Sequence, residues 1–179
     1  MANVGNACIF GDCFVRVAIL PGSSLTSRRR ISQLNRGDVV CSSNGWSVVE
    51  AILCSTTTEL SRLPGGLRIT PWHPIRDNAE AEWRFAATYE TSRVEIVDVT
   101  PVYSILFQDR AVSVCVQDKY DCICLAHAIS NDAVATHPFY GTEQVVHVMK
   151  TEAGWNVGRV QFQQNRRTVG CRMSTNARL

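Results

Sequence analysis

The stretch that decides the fold is residues 67–75, which read Leu67-Arg68-Ile69-Thr70-Pro71-Trp72-His73-Pro74-Ile75. Its first half alternates apolar and polar residues, as a strand with one buried face does. Pro71 and Pro74 fix their own φ angles and keep the residues before them, Thr70 and His73, out of the helical region. The sequence therefore predicts a strand that ends in a stiff loop, on which a hydroxyl and an imidazole can be aimed at one backbone group.

Short apolar runs separated by turn signals continue in both directions from this stretch. Asn44-Gly45 is a hairpin signal between predicted strands at residues 39–41 and 46–53. Other predicted strands lie at residues 8–10, 13–17, 83–85, 94–99, 102–107, 111–116 and 120–126. Strands of this length at this spacing, without a βαβ rhythm, are typical of an all-β fold of the sandwich or barrel type.

The end of the chain follows a different pattern. Residues 143–150 place valines and a methionine at helical spacing, with Thr142 as a candidate N-cap and Gly154 after the predicted end. Residues 155–162 then alternate as a strand does. The sequence thus predicts a C-terminal appendage of one short helix and one or two strands.

Length and charge limit the classes of function. A chain of 179 residues is expected to form one domain. A formal charge of +2 on 19% charged residues is too small to indicate nucleic-acid binding, and there is no apolar run of about 18 residues to span a membrane. Residues 1–7 lack the basic start and apolar core of a signal peptide, so we expect an intracellular location. We also expect a monomer.

Eight cysteines are many for an intracellular chain. Several stand inside apolar runs, as Cys115, Cys122 and Cys124 do, where a free cysteine behaves as a small buried apolar residue. Without an export signal, reduced thiols are favoured over a disulfide framework. A zinc site of Cys122, Cys124, His127 and His137 is disfavoured, because a single residue separates the two cysteines. We therefore expect no metal and no cofactor.

Several motifs stand in a characteristic order along the chain. They are CIFGDCFV at residues 8–15, NRGDVV at 35–40, TPWHPI at 70–75 and VYSIL at 102–106. This ordered set resembles the Hint superfamily of inteins, hedgehog autoprocessing domains and bacterial intein-like domains. The later stretches 122–127, 137–142 and 154–162 look like the Vint subfamily, the Hint domains found with von Willebrand A domains. The resemblance implies the Hint fold, a horseshoe of short strands.

The resemblance also implies autoproteolysis and the residues that carry it. The thiol of Cys8 would attack the carbonyl of Ala7 and turn the Ala7–Cys8 peptide bond into a thioester. Thr70 and His73 would hold and protonate the departing amide nitrogen. A thiol of ordinary pKa is only a few per cent ionised at pH 7 yet strongly nucleophilic. The harder task is to break amide resonance, and a histidine with a pKa near 6.5 is a suitable general acid–base for it.

The limits of the domain follow from the same resemblance. Residues 1–7 would be flanking sequence, or residues added in cloning, and residues 8–179 one autoprocessing domain. Within that domain the expected parts are a core at about 8–141, an appendage at about 142–165 and a mobile tail. The reaction would act in cis on the polypeptide that precedes Cys8, which by resemblance belongs to a von Willebrand A domain protein.

The chain departs from the intein pattern at several positions. Inteins end in His-Asn before a further nucleophile, and this sequence contains no such pair. The expected reaction is therefore single-turnover N-terminal cleavage of the cysteine-peptidase type, without full splicing. Cys13, His127 and His137 are candidates for assisting roles, although packing roles fit them as well. Ser104 stands where many relatives carry an aspartate, and Asp109-Arg110 stands near the place of an assisting histidine.

Two other kinds of function remain compatible with the sequence. The chain can be an inactive Hint-fold scaffold or protein-interaction module. It can also be a thiol hydrolase that acts on another chain, although the sequence shows neither a signal of a deep pocket nor residues that would support the catalytic groups. Self-cleavage of an N-terminal fusion distinguishes the first hypothesis from both alternatives.

Overall fold

The computed structural model describes residues 7–20 and 22–162. Within this part of the chain the regular structure is mostly β-strand, with one α-helix. No helix among these residues has the length and apolar character needed to cross a membrane. The expectations for residues 1–6 and for the tail after residue 162 lie outside the described residues.

The strands of the described residues form one continuous hydrogen-bonded path, in the order β6-β1-β9-β5-β4-β2-β10-β11-β7-β8, with β12 paired to β5 and β3 paired to β2. Their bounds are β1 Ile9–Phe10, β2 Phe14–Ala18, β3 Thr26–Arg30, β4 Val39–Ser42, β5 Gly45–Arg62, β6 Arg68–Ile69, β7 Pro74–Arg76, β8 Arg84–Phe85, β9 Arg93–Phe107, β10 Ser113–Val116, β11 Tyr120–Ile123 and β12 Arg159–Gln161. The predicted all-β class is confirmed.

Two strands are much longer than the sequence predicts, and they form the spine of the fold. Strand β5 has 18 residues and pairs first with β4 and then with β9, which has 15 residues. The sequence suggested a break in β9 at Pro101, but Pro101 pairs with Thr56 beside a β-bulge at Thr57/Glu59. Proline is tolerated at bulges, so the two predicted strands are one. The hairpin predicted at Asn44-Gly45 is confirmed, with Ser42 paired to Gly45.

The register around β1 brings distant parts of the chain together. Strand β1 lies between β6 and β9, and Ile9 pairs with Ile69 on one side and with Tyr103 on the other. All three strands are antiparallel neighbours, so the residue before Ile9 lies beside the residues that follow Ile69 and Tyr103. Cys8 is therefore placed between Thr70 and Ser104.

The C-terminal appendage covers one face of the long strands. Helix α1, Glu143–Thr151, begins at Thr142, whose side chain accepts a hydrogen bond from the Gln144 amide, so the predicted cap is confirmed. Val145, Val146 and Met149 pack with Ala51, Leu53 and Leu106 of the sheet. The predicted strand over 155–162 is shorter than expected. Residues Trp155–Val157 form a 3-10 turn between two glycines in the left-handed region, and only β12 is a strand.

The cysteines of the described residues are all free thiols, and most are buried in the apolar core. The Cys122 thiol lies near the carbonyl of Tyr120, and the Cys124 thiol near the carbonyl of Cys122. Within residues 7–20 and 22–162, no three His, Cys, Asp or Glu side chains are grouped as a metal site would require. Cys171 lies outside the described residues.

Candidate active site

The backbone of Cys8 is held by Thr70. The Thr70 hydroxyl accepts a hydrogen bond from the Cys8 amide at 3.0 Å and lies 3.1 Å from the Cys8 carbonyl oxygen. The Thr70 amide donates to the same carbonyl at 2.9 Å. Pro71 begins the stiff loop predicted from the sequence, so Thr70 sits at the point where β6 ends and the loop turns away. The peptide nitrogen between Ala7 and Cys8 therefore has a fixed direction.

Ser104 contacts both reacting groups on the other side of Cys8. Its hydroxyl donates a hydrogen bond to the carbonyl oxygen of Ala7 and lies 3.2 Å from the Cys8 sulfur. A hydroxyl in this position can stabilise negative charge that develops on the Ala7 oxygen, as an oxyanion-hole donor does. The same hydroxyl can also donate a hydrogen bond to the Cys8 sulfur.

His73 is completely buried against the Cys8 backbone. Its Nε2 lies 3.0 Å from the carbonyl oxygen of Ile123, which can only accept, so Nε2 carries the proton of the neutral ring. The other ring nitrogen, Nδ1, is buried and has no hydrogen-bond partner among the described residues. Nδ1 therefore has a lone pair that is available to accept a proton.

Burial determines the charge state of the site. It lowers the pKa of His73 to about 4, against smaller opposing effects of the Ile123 and Cys8 backbone, so the ring is neutral at pH 7. Burial also raises the pKa of the Cys8 thiol to about 12, although the hydrogen bond from Ser104 lowers it. The expectation of an ordinary thiol with a few per cent thiolate is therefore wrong for the folded domain. The thiol must lose its proton during the attack rather than before it.

A cavity of about 100 Å³ lies beside Ala7. Its walls come from the loop between β6 and β7, from the first residue of β7, from β8, and from two segments at residues 123–127 and 133–140. His127 and His137 both line it, and Tyr140 completes the wall. Burial raises the pKa of Tyr140 to about 12, and the Cys8 thiol contributes a smaller part of the shift.

The residues predicted to assist, Cys13, His127 and His137, lie in different parts of the structure. Cys13 belongs to the main apolar core, where its sulfur lies 3.4 Å from the Arg68 carbonyl. His127 and His137 reach the cavity beside Ala7, as described above. Asp109 bonds to Asn44 and Ser47, and Arg110 bonds to Glu50 and Glu143. The last pair thus belongs to surface hydrogen-bond networks.

Sequence reasoning missed two residues of this site. Ser104 was recognised only as a departure from a common aspartate, and Tyr140 was given no role. Pairing of the predicted strands at residues 8–10 and 102–107 could have indicated Ser104, because an antiparallel register with Ile9 opposite Tyr103 places Ser104 next to Cys8. No comparable signal exists for Tyr140, which reaches the site from a loop.

The fold and the arrangement around Cys8 define an intein-like domain with the Hint fold. A bacterial intein-like domain from Clostridium thermocellum is similar, with 18% identity and a TM-score of 0.55 over 67% of this chain and 99% of that chain. The gp41-1 intein is also similar, with 13% identity and a TM-score of 0.47 over 65% of this chain and 98% of that chain. The first likeness supports the fold.

The particular family follows from the sequence comparison. The Vint family of Hint domains matches residues 7–172, so the chain belongs to that family. The predicted resemblance is confirmed, and with it a class of domain that is capable of self-processing in general. Comparison with curated protein sequences finds no match.

Proposed function

We propose that this domain cleaves the polypeptide that precedes it, by an N-to-S acyl shift at the Ala7–Cys8 bond. The observation that carries this proposal is the position of the Ser104 hydroxyl, which touches the Ala7 carbonyl oxygen and the Cys8 sulfur together. The hydroxyl that would serve as oxyanion donor thus contacts both the nucleophile and the carbonyl oxygen before any reaction occurs. Thr70 holds the amide nitrogen of the same bond.

The first step forms a tetrahedral intermediate. The Cys8 sulfur attacks the carbonyl carbon of Ala7 while its proton moves to the lone pair at Nδ1 of His73. The negative charge goes to the Ala7 oxygen, where the Ser104 hydroxyl donates to it. Coupling attack to proton transfer is necessary, because the pKa of the buried thiol is too high for a free thiolate to accumulate.

The second step breaks the carbon–nitrogen bond. The intermediate collapses, the bond between Ala7 and the Cys8 nitrogen breaks, and His73 returns the proton to that nitrogen, which becomes an amine. The buried imidazolium has a pKa of about 4, so it is a strong acid in this site and gives up its proton readily. Thr70 keeps the N–H bond directed towards its own hydroxyl, so the new lone pair on nitrogen points elsewhere. The product is an Ala7 thioester on Cys8.

The chain after Thr142 supports cleavage rather than splicing. Helix α1 and strand β12 pack onto the long strands as continuing parts of the domain. Within residues 1–179 no histidine is followed by an asparagine, the pair whose cyclisation cuts the second junction in inteins. We therefore propose that an external nucleophile resolves the thioester. The domain itself acts in cis, on the polypeptide that precedes it, which by resemblance belongs to a von Willebrand A domain protein.

A fusion experiment tests the proposal. A stable protein is placed before residue 7, and its release is followed by electrophoresis and mass spectrometry, with and without added thiol. We expect release that ends at Ala7, disappears in Cys8→Ala and slows in His73→Ala. Cys41→Ser, a partly exposed cysteine in β4, is the matched control and should cleave normally.

Two outcomes contradict the proposal. A fusion that remains intact for days, with or without thiol, favours the inactive scaffold or interaction module. Release that persists in Cys8→Ala means that another residue or a contaminating protease cuts the chain. Neither result changes the fold assignment.

A further inference from the structure

The cavity beside Ala7 is placed to hold the molecule that takes the acyl group. Ala7 forms part of its wall, and the carbonyl carbon of Ala7 is the atom that an acceptor must reach once the thioester exists. Its volume is about 100 Å³. A cavity of about 150 Å³ binds benzene, so this one has room for about four non-hydrogen atoms. The space suits a small molecule rather than a side chain of a folded partner.

The walls of the cavity disfavour a charged occupant. Trp72, Phe85, Ile123 and Val134 contribute apolar surface, and no Asp, Glu, Lys or Arg is among the described lining residues. Trp72 and Phe85 meet edge to face with ring centroids 5.7 Å apart, which forms a continuous aromatic wall. Burying an unpaired charge in such surroundings is costly, whereas an uncharged molecule loses little.

Two histidines provide hydrogen-bond donors at the cavity. His127 Nδ1 accepts the Ile129 amide at 3.0 Å, and His137 Nδ1 accepts the amides of Phe139 and Tyr140 at 3.1 and 3.0 Å. Each ring therefore carries its proton on Nε2, and neither Nε2 bonds to another group of the described residues. Such donors match the lone pairs of a hydroxyl or thiol.

We propose that this cavity is the acceptor site of the reaction and that it takes a small uncharged thiol or alcohol. The proposal rests on the thioester proposed above. The acceptor sulfur or oxygen forms a bond to the Ala7 carbonyl carbon, and the bond from that carbon to the Cys8 sulfur breaks. The acceptor's proton ends on Cys8, whose sulfur lies 3.2 Å from the Ser104 hydroxyl. The released product is a thioester or ester of Ala7.

The cavity opens to solvent along one side. Ala133 and Thr136 line the cavity and are exposed, whereas Ala135 between them is buried. Ala135 packs with Trp83 and Ile123 in the cluster that also contacts Ala7. A larger side chain at residue 135 fills the interior of the cavity, and one at residue 133 narrows its mouth.

Three thiols that differ only in their terminal group test the proposal. These are 2-mercaptoethanol, cysteamine and 2-mercaptoethanesulfonate, which end in a hydroxyl, an ammonium and a sulfonate. The first two have the same number of non-hydrogen atoms, so their comparison isolates charge, whereas the sulfonate is larger as well as charged. Each rate of release from the full-length fusion is divided by its thiolate concentration and by its rate with a free alanyl thioester peptide. We expect the hydroxyl compound to be faster than either charged compound by about tenfold or more, equivalent to about 1.4 kcal/mol.

Two variants connect this preference to the cavity. Ala135→Leu and the exposed Ala133→Leu should each reduce the preference for the uncharged thiol to near that of the free peptide. Ala153→Leu, an exposed position just after helix α1, is the matched control and should keep it. Equal normalised rates for the three thiols in the unaltered protein overturn the proposal. So does a preference that survives both cavity variants.

A separate measurement distinguishes this failure from failure of the proposed function. Samples are quenched in acid, denatured and treated with hydroxylamine, which cleaves any thioester regardless of the cavity. Thioester that is present without a preference among the three thiols overturns the acceptor site alone. The absence of thioester overturns the acyl shift, and the acceptor site with it.

Discussion

Replacing Ser104 with alanine removes the only contact that joins the Cys8 thiol to the Ala7 carbonyl among the described residues. If the hydroxyl stabilises the oxyanion, its loss should slow release by roughly 100- to 1000-fold, or about 3–4 kcal/mol in the barrier. The folded state should lose much less, about 1 kcal/mol, because one neutral hydrogen bond is broken. The predicted effect on rate therefore exceeds the predicted effect on stability.

The assay is thiol-induced release of an N-terminal fusion, measured as a single-turnover rate beside urea unfolding of the same protein. Ser113→Ala is the matched control, since Ser113 is equally buried in a strand and its hydroxyl has no partner among the described residues. We expect the control to cleave at the normal rate. If Ser104→Ala cleaves within about threefold of the unaltered protein, less than 1 kcal/mol in the barrier, the hydroxyl is not an oxyanion donor.

Three further predictions concern the surroundings of Cys8. The pKa of His73 is about 4 in the folded state and 6.5 when unperturbed. The unfolded chain therefore binds more protons between these values, and stability should fall as pH drops from 7 to 4. His73 alone should contribute about 3 kcal/mol of this fall in urea unfolding, and His73→Gln should remove that contribution. Thr70→Val leaves the buried Cys8 amide unpaired, which should cost about 1–3 kcal/mol in urea unfolding and slow release, while Thr70→Ser should retain both properties. Gly141→Ala would place its Cβ 2.9 Å from the His127 ring and 2.8 Å from a backbone carbonyl. We expect about 1–3 kcal/mol of destabilisation, and an unchanged Tm would contradict this close packing.

Much of the fold could be predicted from local patterns. The turn at Asn44-Gly45 and the cap at Thr142 depend on a few adjacent residues, and both predictions are confirmed. The lengths of β5 and β9 could not be predicted, because pairing between them carries each strand through residues that look like breaks. The predicted strand at 155–162 failed for a similar reason, since Gly154 and Gly158 adopt left-handed conformations that shape a turn instead.

In the candidate site, likewise, some residues could be predicted from motifs and others depend on the tertiary structure. Cys8, Thr70 and His73 were predicted from motifs and their order, and the structure places them together. The contribution of Ser104 could not be read from any single motif, because it depends on β1 lying between β6 and β9. The cavity beside Ala7 depends on loops whose conformation could not be predicted from the sequence.

The sequence by itself determined the chemical groups and the local stiffness of this protein: a thiol at Cys8, an imidazole at His73 and a loop that prolines hold in shape. Only the tertiary structure decided which groups meet and in what charge state. Antiparallel pairing brings Ser104 to a thiol 96 residues away in the sequence. Burial then makes that thiol a weak acid and His73 a weak base, because desolvation depends on every residue that surrounds them and not on their neighbours in the chain.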